Sequence, residues 1–252
     1  MRPVGPAPIV YLGPSLPPAT AAAVLAADYR PPIKRGDLPV GYDGTIIIID
    51  GEFQQSLSVS PKEILHLLDK GTRVIGAASM GALRAVELAR YGMKGFGWVF
   101  EAYRSGRLEA DDEVAVSYSP EDMRCLTVPL VNVRRWLDEL SAGGDIDEWT
   151  AAWLLERARR LFYADRTPER LWATWSQVIT KSELERVLAV TGGQITDVKA
   201  ADALMALNTL VRESLQTNSQ EHDHGRPSTT EREDLQGTGA RACRQQASQK
   251  AS

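Results

Sequence analysis

Apolar positions in the first half of the chain form short runs that alternate with segments of helical spacing. The runs PIVYL, TIIIID and TRVIGAA, at 8–12, 45–50 and 72–78, predict buried strands. The second run is β-branched and continuous, which is typical of a central strand covered on both faces. Helical spacing follows the strands over residues 17–27, 60–71 and 80–91. This alternation predicts an α/β fold with a mostly parallel sheet and flanking helices.

The other segments of the chain do not follow this alternation of strand and helix patterns. Residues 29–44 contain many Pro and Gly and predict a long loop, 96–106 predicts a short helix, and the alternating segment DEVAVSYS at 112–119 predicts a strand. The rest of the pattern predicts an all-helical C-terminal region, with helices over 130–141, 145–165, 168–178, 180–190 and 196–216. We therefore expect an α/β core over 1–120 and a helical subdomain over 121–217.

The segment 218–252 is polar and contains one branched aliphatic residue, Leu235. It has too little apolar surface to offset the entropy lost on ordering, so we expect a disordered polar tail.

Composition narrows the possible classes of protein. Hydrophobic residues make up 43% and charged residues 25%, and the net charge of −4 gives no reason to expect nucleic-acid binding. The two cysteines, Cys125 and Cys243, provide neither a disulfide framework nor zinc-ligand spacing. The proline-interrupted N-terminus does not fit a signal peptide, and no apolar run approaches the length of a membrane span. These features predict a cytoplasmic protein that does not act at a membrane.

The segment GAASMGALRA at 76–85 places Ser79 among very small side chains, between a predicted strand and a predicted helix. The pattern small-x-Ser-x-Gly resembles the elbow on which serine hydrolases carry their nucleophile. The free N–H groups of Met80 and Gly81, at the helix N-terminus, would then bind an oxyanion. The alternative is that Ser79 only caps the helix.

A nucleophilic serine needs a base, and the histidines do not provide an obvious one. His222 and His224 lie in the predicted tail, and His66 lies in the middle of a predicted helix. Lysine can replace histidine where burial lowers its pKa enough to leave it partly neutral. Lys34, in the loop segment PPIKRGDL, is the preferred candidate, and the alternative is that Lys34 is a solvated charge beside a turn.

Other polar residues qualify only as supporting or binding groups. Gly36 and Asp37 adjoin Lys34, and Asp37 either orients that lysine or caps a turn. Asp50 follows the central predicted strand, at the edge where open α/β sheets bind ligands.

Arg84 would attract a carboxylate or remain an ordinary exposed helix arginine. The acidic run containing Asp112 and Glu113 would position Lys34, contact a partner or simply begin a strand, and it does not fit a metal site, because adjacent residues of a strand point in opposite directions.

Several ordered motifs together resemble the core domain of the TfuA-like proteins, over roughly residues 8–120. They are YLGPSL, PPIKRGD, IDGEF, GAASMGALRAVEL, GM, EAYRSG and DDEVAV, in that order along the chain. Members of this family work beside YcaO enzymes in peptide backbone thioamidation.

The resemblance implies a hydrolase that releases sulfide from a ThiS-like carrier protein with a C-terminal thiocarboxylate. The YcaO partner would install that sulfide in a backbone amide of a precursor peptide, which the family also helps YcaO to hold. The family's Ser-Lys pair corresponds here to Ser79 and, by the best match, Lys34. No metal or organic cofactor is implied. The chain departs from the family after DDEVAV, where many members have a histidine and this chain has Ser117 and Tyr118.

Two other functions fit the sequence. In one, the protein is a non-catalytic docking module that recruits YcaO, the sulfur carrier and the peptide. In the other, it is a general serine hydrolase of small esters or amides.

Overall fold

The computed structural model describes residues 6–52 and 57–224. Of these, the residues as far as Val211 form one compact unit, and those from Arg212 onward belong to a second. Of the predicted disordered tail, residues 218–224 continue the last helix, which ends at His224. The rest of that predicted tail, 225–252, lies outside the described residues.

A five-stranded, all-parallel sheet forms the centre of the first unit, in the order β2-β1-β3-β4-β5. This confirms the predicted parallel sheet, and β3 is its central strand as expected. The order is that of a doubly wound sheet, in which ligands bind where the strand order reverses, here between β1 and β3. The strands are β1 (Ile9–Tyr11), β2 (Asp28–Arg30), β3 (Thr45–Ile48), β4 (Arg73–Ala77) and β5 (Lys94–Phe96).

Helices alternate with the strands as far as α4, and only helices follow in the rest of the described chain, as the sequence pattern predicts. The helix of 60–71 begins with a capping box, in which Ser60 and Glu63 satisfy each other's backbone N–H groups. The helices are α1 (Pro18–Val24), α2 (Pro61–Asp69), α3 (Met80–Leu88), α4 (Trp98–Arg104), α5 (Leu130–Ala142), α6 (Glu148–Arg159), α7 (Pro168–Trp175), α8 (Lys181–Val190) and α9 (Val198–His224). Among these, no helix is both long and apolar enough to cross a membrane.

The sheet is covered on both faces. Side chains that alternate along each strand point to opposite faces, so Ile46 and Ile48 pack with α2, α3 and α4, whereas Ile47 and Ile49 pack with α1 and α9. All four isoleucines are fully buried. The continuous apolar run of the central strand therefore has the two-sided burial that its sequence predicts.

Helices α5 to α8 enclose a core of their own, in which Trp136 and Trp175 stack with ring centroids 5.5 Å apart. The last helix does not belong to that core. Its residues Ala203, Ala206 and Leu207 are fully buried against the sheet. The chain therefore returns from the helical region to complete the α/β layers.

The predicted strand at 112–119 is wrong. Asp111–Glu113 form a 3-10 turn, and the segment that follows is a loop that pairs with itself through Tyr118 and Cys125. The Val114 carbonyl accepts a hydrogen bond from Lys199 Nζ at 2.9 Å instead of pairing with a neighbouring strand. Two short strands, β2 and β5, lie where the sequence pattern predicted none.

Gly76 in β4 and Gly81 in α3 explain why so many small residues surround Ser79. A Cβ atom on Gly76 would fall 2.0 Å from the Gly81 carbonyl oxygen, and one on Gly81 would fall 1.7 Å from the Ile48 carbonyl oxygen. The first turn of α3 therefore lies directly on the ends of β3 and β4, and only glycine allows this approach.

Gly81→Ala should destabilise the protein by about 3 kcal/mol, because the new methyl group collides with backbone rather than with a movable side chain. Helix propensity alone predicts the opposite sign, a gain of about 1 kcal/mol. The free energy of unfolding in urea measures the change. Unchanged or greater stability would show that α3 does not lie this close to the sheet.

Asp202 on α9 fastens that helix to α4. Its carboxylate accepts hydrogen bonds from the backbone N–H groups of Trp98 at 2.8 Å and Val99 at 2.7 Å. Burial of the side chain raises the pKa of Asp202 to about 6, although these two hydrogen bonds act in the opposite direction.

The raised pKa of Asp202 predicts how the stability of the protein depends on pH. The folded protein binds a proton at Asp202 more tightly than the unfolded chain does, so the stability contributed by this residue is largest at low pH and is lost as pH rises through about 6. From about pH 7 to about pH 4, the free energy of unfolding of the wild type should rise by about 2 kcal/mol relative to that of Asp202→Asn. Parallel pH profiles would contradict the prediction.

Candidate functional site

A cavity of about 220 Å³ opens at the carboxyl edge of the sheet. Its walls come from the ends of β1, β3 and β4, from the loop after the 3-10 turn and from the first turn of α9. The lining residues are Pro14, Pro32, Asp50, Gly51, Glu52, Ser79, Met80, Asp111, Val114, Ala115, Val116, Ser117, Tyr118, Pro120, Tyr163 and Lys199. The cavity lies at the reversal of strand order, where doubly wound sheets bind their ligands.

Ser79 lies on a tight turn between β4 and α3, as the elbow pattern predicts. The preceding residue, Ala78, has a left-handed φ of 65°, and the Ser79 N–H donates to the Ala77 carbonyl at 2.7 Å. An i to i+2 hydrogen bond around a residue of positive φ is a γ-turn, a strained conformation for alanine. The Ser79 side chain makes no capping hydrogen bond to α3. Ser79 is instead one of the residues that line the cavity, which argues against the alternative that Ser79 only caps the helix.

The two N–H groups predicted to bind an oxyanion have different environments. The Gly81 N–H donates to the Ile49 carbonyl at 3.2 Å, so in this structure it is bonded to the chain after β3 and does not point freely into the cavity. Within the described residues, the Met80 N–H has no hydrogen-bond acceptor, and Met80 lines the cavity. Met80 is therefore the N–H group of this turn that can bind a negative charge.

Asp50 holds the loop after β1 in place. Its buried carboxylate accepts hydrogen bonds from the Gly13 N–H at 2.9 Å, the Ser15 N–H at 3.0 Å and the Ser15 hydroxyl at 2.6 Å. These bonds join the carboxyl ends of β1 and β3 and shape the floor of the cavity. Asp50 thus supports the site as a structural tether.

Lys34 lies outside the residues that line the cavity, and its side chain is exposed. Asp37 binds the backbone of Lys34, with its carboxylate accepting from the Lys34 N–H at 3.0 Å, so Asp37 caps a turn. Gly36, at a φ of 88°, donates its N–H to Glu63. The structure does not bring Lys34, Gly36 or Asp37 together with Ser79 in the cavity.

Lys199 is the lysine that shares the cavity with Ser79. Its side chain comes from the first turn of α9, and the residue is 2% exposed. Its Nζ donates to the Val114 carbonyl, and in the described part of the chain no carboxylate lies within ion-pair distance of it. Sequence reasoning missed Lys199 because it lies far from Ser79 along the chain, in a segment that reads as a regular helix.

Glu52 and Tyr118 form a hydrogen-bonded pair in the cavity wall. The Tyr118 hydroxyl donates to Glu52 Oε1 at 2.9 Å. Burial, the hydrogen bond to Glu52 and the negative charges of Glu52 and Asp50 raise the pKa of Tyr118 to about 12. The hydroxyl therefore keeps its proton at neutral pH and acts as a donor.

The remaining charged candidates have structural partners. Glu113 forms a buried ion pair with Arg134 of α5, and Asp112 lies 3.8 Å from the guanidinium of Arg166. Both acidic residues thereby join the cavity loop to the helical region. No group of three or more His, Cys, Asp and Glu side chains in the described residues is arranged to hold a metal ion.

Arg84 contacts the Val59 carbonyl at 3.0 Å and Glu87 at 2.8 Å. It is not among the residues that line the cavity, so the structure does not place it where a carboxylate in the site would meet it.

The fold places the chain among doubly wound α/β proteins, with a cavity at the carboxyl edge of the sheet. The model of the TfuA-like protein family matches residues 50–167, slightly less than half of the chain, so this segment is similar to TfuA-like proteins, in agreement with the resemblance seen in the motifs. The match includes Ser79, Glu52 and Tyr118, and both Lys34 and Lys199 lie outside it. A search of curated proteins finds no match to the chain.

Asp50→Ala should lower the free energy of unfolding by about 3 kcal/mol, because it leaves three buried donors without their acceptor. Ser15→Ala is the matched control and should cost about 1 kcal/mol, since it removes only one of these hydrogen bonds. Urea denaturation of both variants measures the two changes. Equal losses would show that the Asp50 carboxylate does not hold the loop as described.

Proposed function

We propose that the protein hydrolyses a C-terminal thiocarboxylate on a ThiS-like carrier protein and so supplies sulfide to a YcaO enzyme for peptide backbone thioamidation. The association of the TfuA-like family with YcaO supports the role in thioamidation. The observation that favours hydrolysis is that Ser79, on a strained turn and without a capping bond, shares one small cavity with the buried amine of Lys199.

In the proposed reaction, the side-chain amine of Lys199 accepts the proton of Ser79. Ser79 Oγ then bonds to the thiocarboxylate carbon, and the Met80 N–H stabilises the negative charge that develops on oxygen. The lysine passes the proton to the sulfur as the carbon–sulfur bond breaks, so hydrosulfide leaves and an acyl ester remains on Ser79. Water hydrolyses this ester to the carrier carboxylate.

Lys199 fits the role of the base better than Lys34 does. A proton acceptor must come within hydrogen-bond reach of the serine, directly or through one water molecule. Lys199 lines the same cavity as Ser79, whereas the Lys34 side chain is exposed and does not line it. The predicted Ser-Lys pair is thus proposed as Ser79 and Lys199.

A docking function is the second candidate. On the surface of α6, Trp149 and Trp153 are 68% and 39% exposed, and their rings lie 5.6 Å apart. Exposed tryptophans are enriched where proteins bind partners. This surface favours recruitment of YcaO or its peptide, which is compatible with hydrolysis in the cavity.

Sulfide release from a thiocarboxylated ThiS-like protein tests the proposal. Ser79→Ala should abolish release without unfolding the protein, because the hydroxyl makes no capping bond. Lys199→Met should lower the rate by about 100-fold, the usual size of a general-base contribution. Lys34→Met is the matched control and should keep the wild-type rate.

Three other outcomes have distinct meanings. Full release by Ser79→Ala would leave docking as the function. Loss of release in Lys34→Met but not in Lys199→Met would return the role of the base to Lys34. Wild-type activity on small esters, without release from the carrier, would indicate a general serine hydrolase.

A further inference from the structure

We propose that Glu52 is the general base for the second half of the reaction, the hydrolysis of the acyl ester on Ser79, and that Tyr118 positions its carboxylate. The inference rests on the proposed function and assigns a different base to each half-reaction, Lys199 to the first and Glu52 to the second.

The backbone places Glu52 beside the reacting serine. Gly51 packs directly on the residue after Ser79, since a Cβ on Gly51 would fall 2.7 Å from Met80 Cγ. The Glu52 backbone is held on both sides, with its N–H donating to the Ile33 carbonyl at 2.9 Å and its carbonyl accepting from the Ser58 hydroxyl at 2.9 Å. The side chain therefore begins from a fixed point in the cavity wall.

Tyr118 fixes the other end of that side chain. Its hydroxyl donates to Oε1, and within the described residues Oε2 has no hydrogen-bond partner. The pKa of Tyr118, raised to about 12, keeps the hydroxyl protonated, so the contact remains a donor to the carboxylate at neutral pH. One carboxylate oxygen is thus oriented by the protein, and the other can accept a proton from water.

The second half-reaction needs a proton acceptor. In the first half the serine proton leaves with hydrosulfide, so a side chain in the cavity must take the proton of the attacking water. Lys199 Nζ is engaged with the Val114 carbonyl, whereas Oε2 of Glu52 can accept. Glu52 takes that proton as the water oxygen bonds to the acyl carbon. It returns the proton to Ser79 Oγ when the carbon–Oγ bond breaks, and the acid released loses its own proton to solvent. No other reactant is required.

Rapid mixing with a thiocarboxylated ThiS-like protein separates the two half-reactions. Glu52→Gln should release about one equivalent of sulfide at the wild-type rate and then turn over about 100-fold more slowly. Acid-quenched samples should show, by intact mass, the carrier bound covalently to the protein, and the adduct should disappear in Glu52→Gln/Ser79→Ala. Tyr118→Phe should show a smaller slowing and a smaller amount of adduct, because it removes the orienting hydrogen bond and keeps the base.

Glu109→Gln changes an exposed glutamate outside the cavity and should behave as the wild type. Wild-type turnover by Glu52→Gln would overturn the inference and leave Lys199 as the base for both halves. Loss of the first equivalent of sulfide in Glu52→Gln would also overturn it, because Glu52 would then be needed before the ester forms, and circular dichroism would show whether the fold is intact. No sulfide from the wild type would overturn the proposed function, and this inference with it.

Discussion

The contact between the first turn of α3 and the ends of β3 and β4 determines the geometry of the site. Gly76 and Gly81 allow the backbone of the helix to lie on the backbone of the sheet, and the Gly81 N–H bonds to Ile49. This close approach requires the sharp turn at Ala78 and leaves Ser79 among the residues that line the cavity. The same contact brings the segment after β3 against Met80, so the serine and the carboxylates that follow the central strand share one edge.

The cavity is closed by residues that are distant in sequence. The loop after the 3-10 turn supplies one wall, and Asp112 and Glu113 of the turn itself bind Arg166 and Arg134 of the helical region. Lys199 links the same loop to α9, since its Nζ donates a hydrogen bond to the Val114 carbonyl. The helical region therefore shapes the site without contributing the serine turn.

Local patterns predicted the features that depend on local physics. The β-branched run before Asp50, the capping box at Ser60 and the small residues around Ser79 each have a short-range cause, so the central strand, its following helix and the elbow were all predicted. The short edge strands carry too few apolar residues to produce a pattern, and the acidic run before Val114 forms a turn because its charges pair with arginines elsewhere in the fold. Lys199 was missed for a related reason. Its position in the site depends on tertiary packing, which cannot be predicted from the spacing of residues along the chain.

The position of Lys199 has a consequence for the time at which the site forms during synthesis. On a ribosome, Ser79 and the whole parallel sheet emerge before α9, which carries the buried lysine and covers one face of that sheet. A nascent chain can therefore contain the serine turn and still lack the amine that shares its cavity. Assembly of this pair therefore waits until nearly all of the compact unit has left the exit tunnel.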